Sequence, residues 1–226
     1  MFMRIRNPYC RSAAIQSSGH LQWNDSSAYK DVYLRLGGMH FLMSYLGSVG
    51  TLMENTGLSD VLAGPFGGVK KMLTGKKYPE NVRALRMLAK ELLRPILLEN
   101  DFSSVASFHE YLDALATRSR TARVWIDCMV RPVFMMMKFI RAERESDWPL
   151  HLQAVKEMLP IMFAAGHQNY ARYGLYYLRT MEAMMEKVRE PFMRGEPTMH
   201  HKSGIANGIW SDMAIETTYM RYGHGL

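Results

Sequence analysis

The sequence predicts a mainly α protein, a bundle of about seven helices with at most two short strands, and three observations carry that prediction. Apolar residues recur every three or four positions through most of the chain after Gly38. Proline, serine and aspartate stand where helix starts favour them, as at Pro79, Ser103-Ser104 and Asp147-Trp148-Pro149. Only Val32 to Leu36 and Thr198 to Lys202 have the composition of strands. A chain of 226 residues can bury one good core. The expected organisation is a weakly structured leader over 1–27 and a single mostly helical domain over 28–226.

The leader lacks a sustained period, and Pro8, Gly19 and Asn24-Asp25-Ser26-Ser27 punctuate it. Val32 to Leu36 suits a short strand, Gly37-Gly38 turns the chain, and Met39 to Asn55 is expected to be helical. Gly57 ends that helix near the position where a left-handed residue is favoured. His40, Ser44, Gly47 and Thr51 give one face of small and polar groups, which lets another backbone approach closely. Ser59 is expected to cap a short helix to Leu62, followed by the loop Gly64-Pro65-Phe66-Gly67-Gly68. That run lacks the spacing of a phosphate-cradling loop. From Pro79 onward Val82, Leu85, Leu88, Leu92 and Ile96 share the expected inner face, and Pro95 is expected to kink or break the helix. The next helix starts at Ser103 or Ser104, with Phe108, Tyr111, Leu112 and Leu115 inward. Arg120 to Arg144 follows, bent at Pro132. A helix from Asp147 runs toward Gly166 with a kink at Pro160, and His167 to Val188 is long and amphipathic. Pro191, Gly195 and Pro197 then break the pattern, and Gly208 to Tyr222 is the expected final helix.

The chain carries 20 methionines, clustered at helical spacings such as Met181, Met184 and Met185, which suits gap-filling in a core; the alternative is a Met-rich binding face. Its 28 basic and 21 acidic residues give +7, a modest excess that fits a phosphate-bearing partner such as DNA. Two cysteines, Cys10 and Cys128, cannot form a disulfide framework or a four-ligand zinc site. A nuclear or cytoplasmic protein is expected rather than a secreted one, since the N-terminal stretch also lacks the continuous apolar segment of a signal peptide. The longest apolar run, around Pro132 to Ile140, is too short to span a bilayer, so no membrane partner is expected.

Four sets of residues carry candidate chemistry. Asp212 and Glu216, four apart, share one helix face and can both reach a divalent cation; the plain alternative is a solvated or Arg221-paired acidic face. Two-metal phosphoryl transfer requires a further acid from a separate element, for which Asp25 and Asp31 are the upstream candidates. His40, in the first turn of its helix, is placed to contact phosphate or assist a metal, or simply to pack. Arg118, Arg120, Arg123 and Arg172 are candidate phosphate contacts, with Tyr170, Tyr173, Tyr176 and Tyr177 as aromatics able to stack bases or to fill a core. No Ser-His-Asp or Cys-His constellation is present.

The stretches LRLGGMHFLMSYLGSVGTLM, HQNYARYGLYYLRTME and HHKSGIANGIWSDMAIETTYMRYGHG resemble a family of transposable-element-derived animal proteins of unknown function. That family is similar to acidic-triad transposases, in which an RNase H-like core joins DNA strands with divalent metal ions. The resemblance implies a helical insertion over about 58–195 between two pieces of core. It places His40, in Gly37-Gly38-Met39-His40, at the helix that follows a core strand in hAT-type transposases, and Glu216 at the position of the last catalytic acid. Glu216 and Asp212 would then bind Mg²⁺ or Mn²⁺, with His40 nearby. The cysteine of the hAT-type pattern is absent, and MFMRIRNPYCRSAAIQSSGH stands where relatives carry an Asp-Gln-Pro-like segment. The expectation is a truncated copy, ancestrally a DNA strand-transfer enzyme and now inactive. The alternative is a helical interaction module that binds nucleic acid or a protein through a basic or Met-rich face.

Overall fold

The structure, a computed structural model, describes residues 35–196, 199–200, 208–210 and 212. Among these residues the protein is mainly α, as expected. The helices are α1 (Gly38–Leu52), α2 (Leu58–Ala63), α3 (Val69–Lys71), α4 (Tyr78–Glu99), α5 (Val105–Arg118), α6 (Arg120–Trp125), α7 (Arg131–Glu145), α8 (Trp148–Ala164), α9 (Gln168–Glu182) and α10 (Glu186–Met193). Two π segments, Met72–Lys76 and Ile126–Val130, follow α3 and join α6 to α7. The described residues hold two strands, β1 (Met199–His200) and β2 (Gly208–Ile209), paired antiparallel with Met199 opposite Ile209. No described helix is long and apolar enough to cross a membrane.

The described residues divide into two compact units. The first takes residues 35–41, 138–163 and those from 167 onward; the second takes 42–137 and 164–166.

In the second unit the small face of α1 does what its composition suggests. A β-carbon on Gly50 would lie 2.2 Å from the Leu73 carbonyl oxygen, and one on Gly75 would lie 2.0 Å from that of Met43. The π segment therefore lies directly on α1, and Gly75 holds φ 84 to make the fit, a region an L side chain enters only with strain. Ser48 and Thr51 return their hydroxyls to the carbonyls of Ser44 and Gly47, so this face needs no outside partner for them. Tyr45 is fully buried and its hydroxyl donates to the Pro132 carbonyl at 3.1 Å. Pro132 has no N–H to continue the ladder, and the π segment just before it takes up the irregularity predicted as a bend.

Several boundaries match their sequence signals. Ser104 caps α5, accepting from the Ser107 backbone N–H while the Ser107 hydroxyl accepts from Ser104 N–H. Asp147 Oδ1 accepts from Leu150 N–H at 2.9 Å at the start of α8. Other expectations are corrected. Gly57, in the left-handed region at φ 88, occupies the N-cap of α2 without a side-chain cap, and Ser59 lies inside the helix. Helices α4 and α10 continue through Pro95 and Pro191, so neither proline breaks its helix there; α8 contains Pro160, where a kink rather than an end is expected. On α4 the buried residues are Asn81, Ala84, Leu85, Ala89 and Leu93, leaving Leu92 exposed, because small residues rather than leucines line the closest packing. The segment expected as one helix from His167 to Val188 breaks after Glu182. Arg35 and Leu36 belong to no strand, and Gly208–Ile209 is strand where helix was expected. The expected leader, Val32 to Leu34 and the stretch beyond Asp212 lie outside the described residues. The methionines at 129, 136, 158, 162, 181 and 184 are buried, which is the core role.

Candidate functional site

The polar groups of the first unit gather around the entry to α1. Gly37 and Gly38 come first, and each is there because something else occupies the space of its side chain. A β-carbon on Gly37 would lie 2.6 Å from Asp212 Oδ2, and one on Gly38 would lie 2.6 Å from the Trp210 ring and 3.0 Å from Glu143 Oε2. Glycine is required for close approach here, not for backbone freedom.

Asp212 uses that space to reach the start of the helix. Its Oδ1 accepts from Met39 N–H at 3.2 Å, and its Oδ2 accepts from His40 N–H at 3.0 Å. His40 Nδ1 lies 3.0 Å from the same Oδ2. An N-terminal turn has unsatisfied N–H groups and a positive dipole end, and a carboxylate answers both. Burial pushes the Asp212 carboxyl up, but the His40 ring, the two backbone N–H groups and the His40 charge outweigh it, so the group is held below the ordinary carboxylate range. An ionised carboxylate only accepts, so the His40 Nδ1 that faces it carries a proton and donates.

Behind Gly38 lies a second cluster, with its members drawn from the segment before α1 and from α7, α8 and α9. Arg35 donates to both oxygens of Glu143 at 3.0 Å. His151 Nδ1 lies 2.6 Å from Glu143 Oε1, and His151 Nε2 lies 2.9 Å from the Tyr177 hydroxyl. Glu143 and Tyr177 are each 3% exposed and His151 2%. Trp148 stacks on the His151 ring at 5.0 Å, and Phe139 lies 5.3 Å from it and 5.7 Å from Trp210. Burial pushes the Glu143 carboxyl up, yet the hydrogen bond and charge of His151 and the charge of Arg35 hold it below its ordinary value. Burial drives the Tyr177 phenol well above its ordinary value, so it stays a hydroxyl. The Arg35 guanidinium stands against the Glu143 carboxylate at 3.0 Å, so the buried charge is paired, as a dry interior requires.

The sequence-predicted residues divide accordingly. His40 and Asp212, 172 positions apart, are brought together. Glu216, Asp25 and Asp31 lie outside the described residues. Among the described residues no group of three or more His, Cys, Asp or Glu side chains gathers as metal ligands do. Asp212 already serves three donors, so the described residues alone do not fit a two-metal centre. Arg118, Arg120 and Arg123 are exposed at the junction of α5 and α6, joined by Ser119, whose hydroxyl accepts from Ala122 N–H. Arg172 is exposed on α9, far along the sequence from that junction, and lies over the Tyr173 ring at 5.3 Å. Tyr173 and Tyr177 are buried and take the core role rather than a base-stacking one. Sequence reasoning missed Arg35, Glu143, His151 and Trp210; no spacing rule links them, although a histidine at a buried position of α8 was a signal worth testing.

Fold and site together define a mainly helical protein whose glycine pair is wedged between an Asp–His helix cap and a buried Arg–Glu–His–Tyr cluster. A family model described as a domain of unknown function, DUF8702, matches residues 14–105 and 100–224. The chain belongs to that family. No curated protein and no solved structure matches it.

Proposed function

We propose that this chain is the helical part of a transposon-derived, transposase-like protein that holds nucleic acid by its phosphates and, as this chain, does not cut it. The observation that carries the reading is the junction between α5 and α6. Arg118, Arg120 and Arg123 are exposed there, and no carboxylate pairs with them among the described residues. Arg131, a few residues on, is by contrast held by Asp113 and Asp127. Three unneutralised guanidiniums within six residues suit a phosphate backbone, which rewards each contact by releasing counterions. The overall charge of +7 acts in the same direction. The likeness to acidic-triad transposases supplies the ancestry, and the meeting of His40 with Asp212 is consistent with it. A nuclear setting follows from a DNA partner and belongs to the same proposal.

Fluorescence anisotropy of labelled duplex DNA over a range of salt tests the binding. Changing Arg118, Arg120 and Arg123 together to alanine should weaken binding and lower the slope of log K against log salt by roughly 3. No binding near physiological salt overturns the nucleic-acid reading. A nicking assay with Mg²⁺ or Mn²⁺ tests the other half: cleavage that Glu216→Ala abolishes would show an enzyme where we propose a binding protein.

A further inference from the structure

Two exposed apolar points on this chain are flanked by charges of opposite sign. On α9, Leu175 is 63% exposed, with Arg172 three residues before it and Arg179 four after, a spacing that sets all three along one stripe of the helix. Both arginines are exposed, and among the described residues neither has a carboxylate partner; Arg172 lies over the ring of Tyr173 and donates to its hydroxyl at 3.4 Å. In the other unit, the turn from α4 to α5 exposes Leu98 at 77% and Val105 at 74%. Glu99 and Asp101 stand between them, both exposed and without a basic partner among the described residues. A nucleic acid would use the two arginines and leave Leu175 in water. An apolar surface rimmed by carboxylates uses all three side chains, and this chain itself carries such a surface.

We propose that the protein self-associates head to tail, the Arg172-Leu175-Arg179 stripe of one copy seating the Leu98–Val105 turn, with Glu99 and Asp101, of the next. A contact between two different patches is heterologous, so each copy keeps one patch open until the assembly closes or runs on. The apolar residues exclude water at the centre while the charge pairs fix the register.

Sedimentation equilibrium of the DNA-free protein is the test. The protein should associate reversibly at low salt and dissociate as salt rises. The pair Arg172→Glu and Arg179→Glu, or the pair Glu99→Lys and Asp101→Lys, should each weaken association by at least about tenfold. Mixing the two variants should restore association, because the unchanged stripe of one meets the unchanged turn of the other and the two reversed patches are complementary as well. Circular dichroism checks that each variant keeps its helix content. A wild-type protein that stays monomeric at every concentration, or association that ignores both charge reversals, overturns the proposal. Duplex binding separates it from the nucleic-acid reading: Leu175→Ser, which alters no charge, should weaken association and bind duplex as before. Loss of duplex binding with self-association intact would return this stripe to the nucleic acid.

Discussion

Two carboxylate–histidine pairs lie on either side of Gly38, and they differ in what else the carboxylate holds. Glu143 meets His151 at 2.6 Å and Arg35 at 3.0 Å, all side chains in an interior closed by aromatic rings. Asp212 meets His40 at 3.0 Å, but its other donors are backbone N–H groups at a helix start that stays partly open to water. The first pair belongs to a buried set in which the Arg35 and Glu143 charges balance each other. The second is a helix cap that happens to carry an imidazole, and water can replace part of it. Glu143→Ala should therefore be the most damaging change, costing about 3–5 kcal/mol in chemical denaturation, because it leaves the Arg35 charge without its carboxylate. If the loss is no larger than that of Asp212→Ala, the buried cluster is not the anchor that its geometry implies.

The same contrast explains what was legible in the sequence. The helices follow from local signals: the apolar period, the Ser104 and Asp147 caps, and Pro79 in the first turn of α4. The close backbone neighbour of α1 was readable in part: Gly47 lay on the face expected to admit it, while Gly50, which the Leu73 carbonyl approaches, was not among the residues of that face. His40 and Asp212 were picked out on local grounds and through resemblance, and the fold then placed them together. The buried cluster was not readable. Glu143 sits in Arg-Ala-Glu-Arg-Glu, which looks like a solvated face, and its partners lie 8 residues ahead and 108 behind along the chain. Local charge patterning is silent about a pair that tertiary packing creates. Pro191 misled for a related reason: α10 continues past it, where the buried Phe192 packs on Trp148.

The glycine pair sharpens the comparison at intermediate cost. Alanine at 38 would press on the Trp210 ring and on a carboxylate oxygen of the buried cluster, neither of which can swing away. Alanine at 37 would press on the end of the Asp212 side chain, which can turn aside at the expense of the cap. Gly38→Ala should cost about 2 kcal/mol by overpacking, and Gly37→Ala less, nearer the cost of losing the cap. Denaturant midpoints of the two variants decide the order. Equal losses would mean that Asp212 is as rigidly held as Trp210, and the distinction between an interior cluster and a surface cap would fail.

Asp212→Asn should show the smallest effect, about 1 kcal/mol at neutral pH, since the amide oxygen still accepts from one backbone N–H while the charge at the helix start is lost. Its pH dependence gives the finer test. The folded Asp212 carboxyl is held below its unfolded value of 3.8, so its stabilisation is complete above that value and fades as pH falls through the folded one. Glu143, lowered from 4.5, obeys the same sign and adds its own loss as the solution becomes more acid than about 4.5. The stability gap between the unchanged protein and Asp212→Asn should therefore persist from neutral pH down to about 4 and close only below it, while the steeper acid transition of both proteins reports Glu143. A gap that stays constant into strong acid would mean that Asp212 contributes through its shape at the α1 entry and not through its charge.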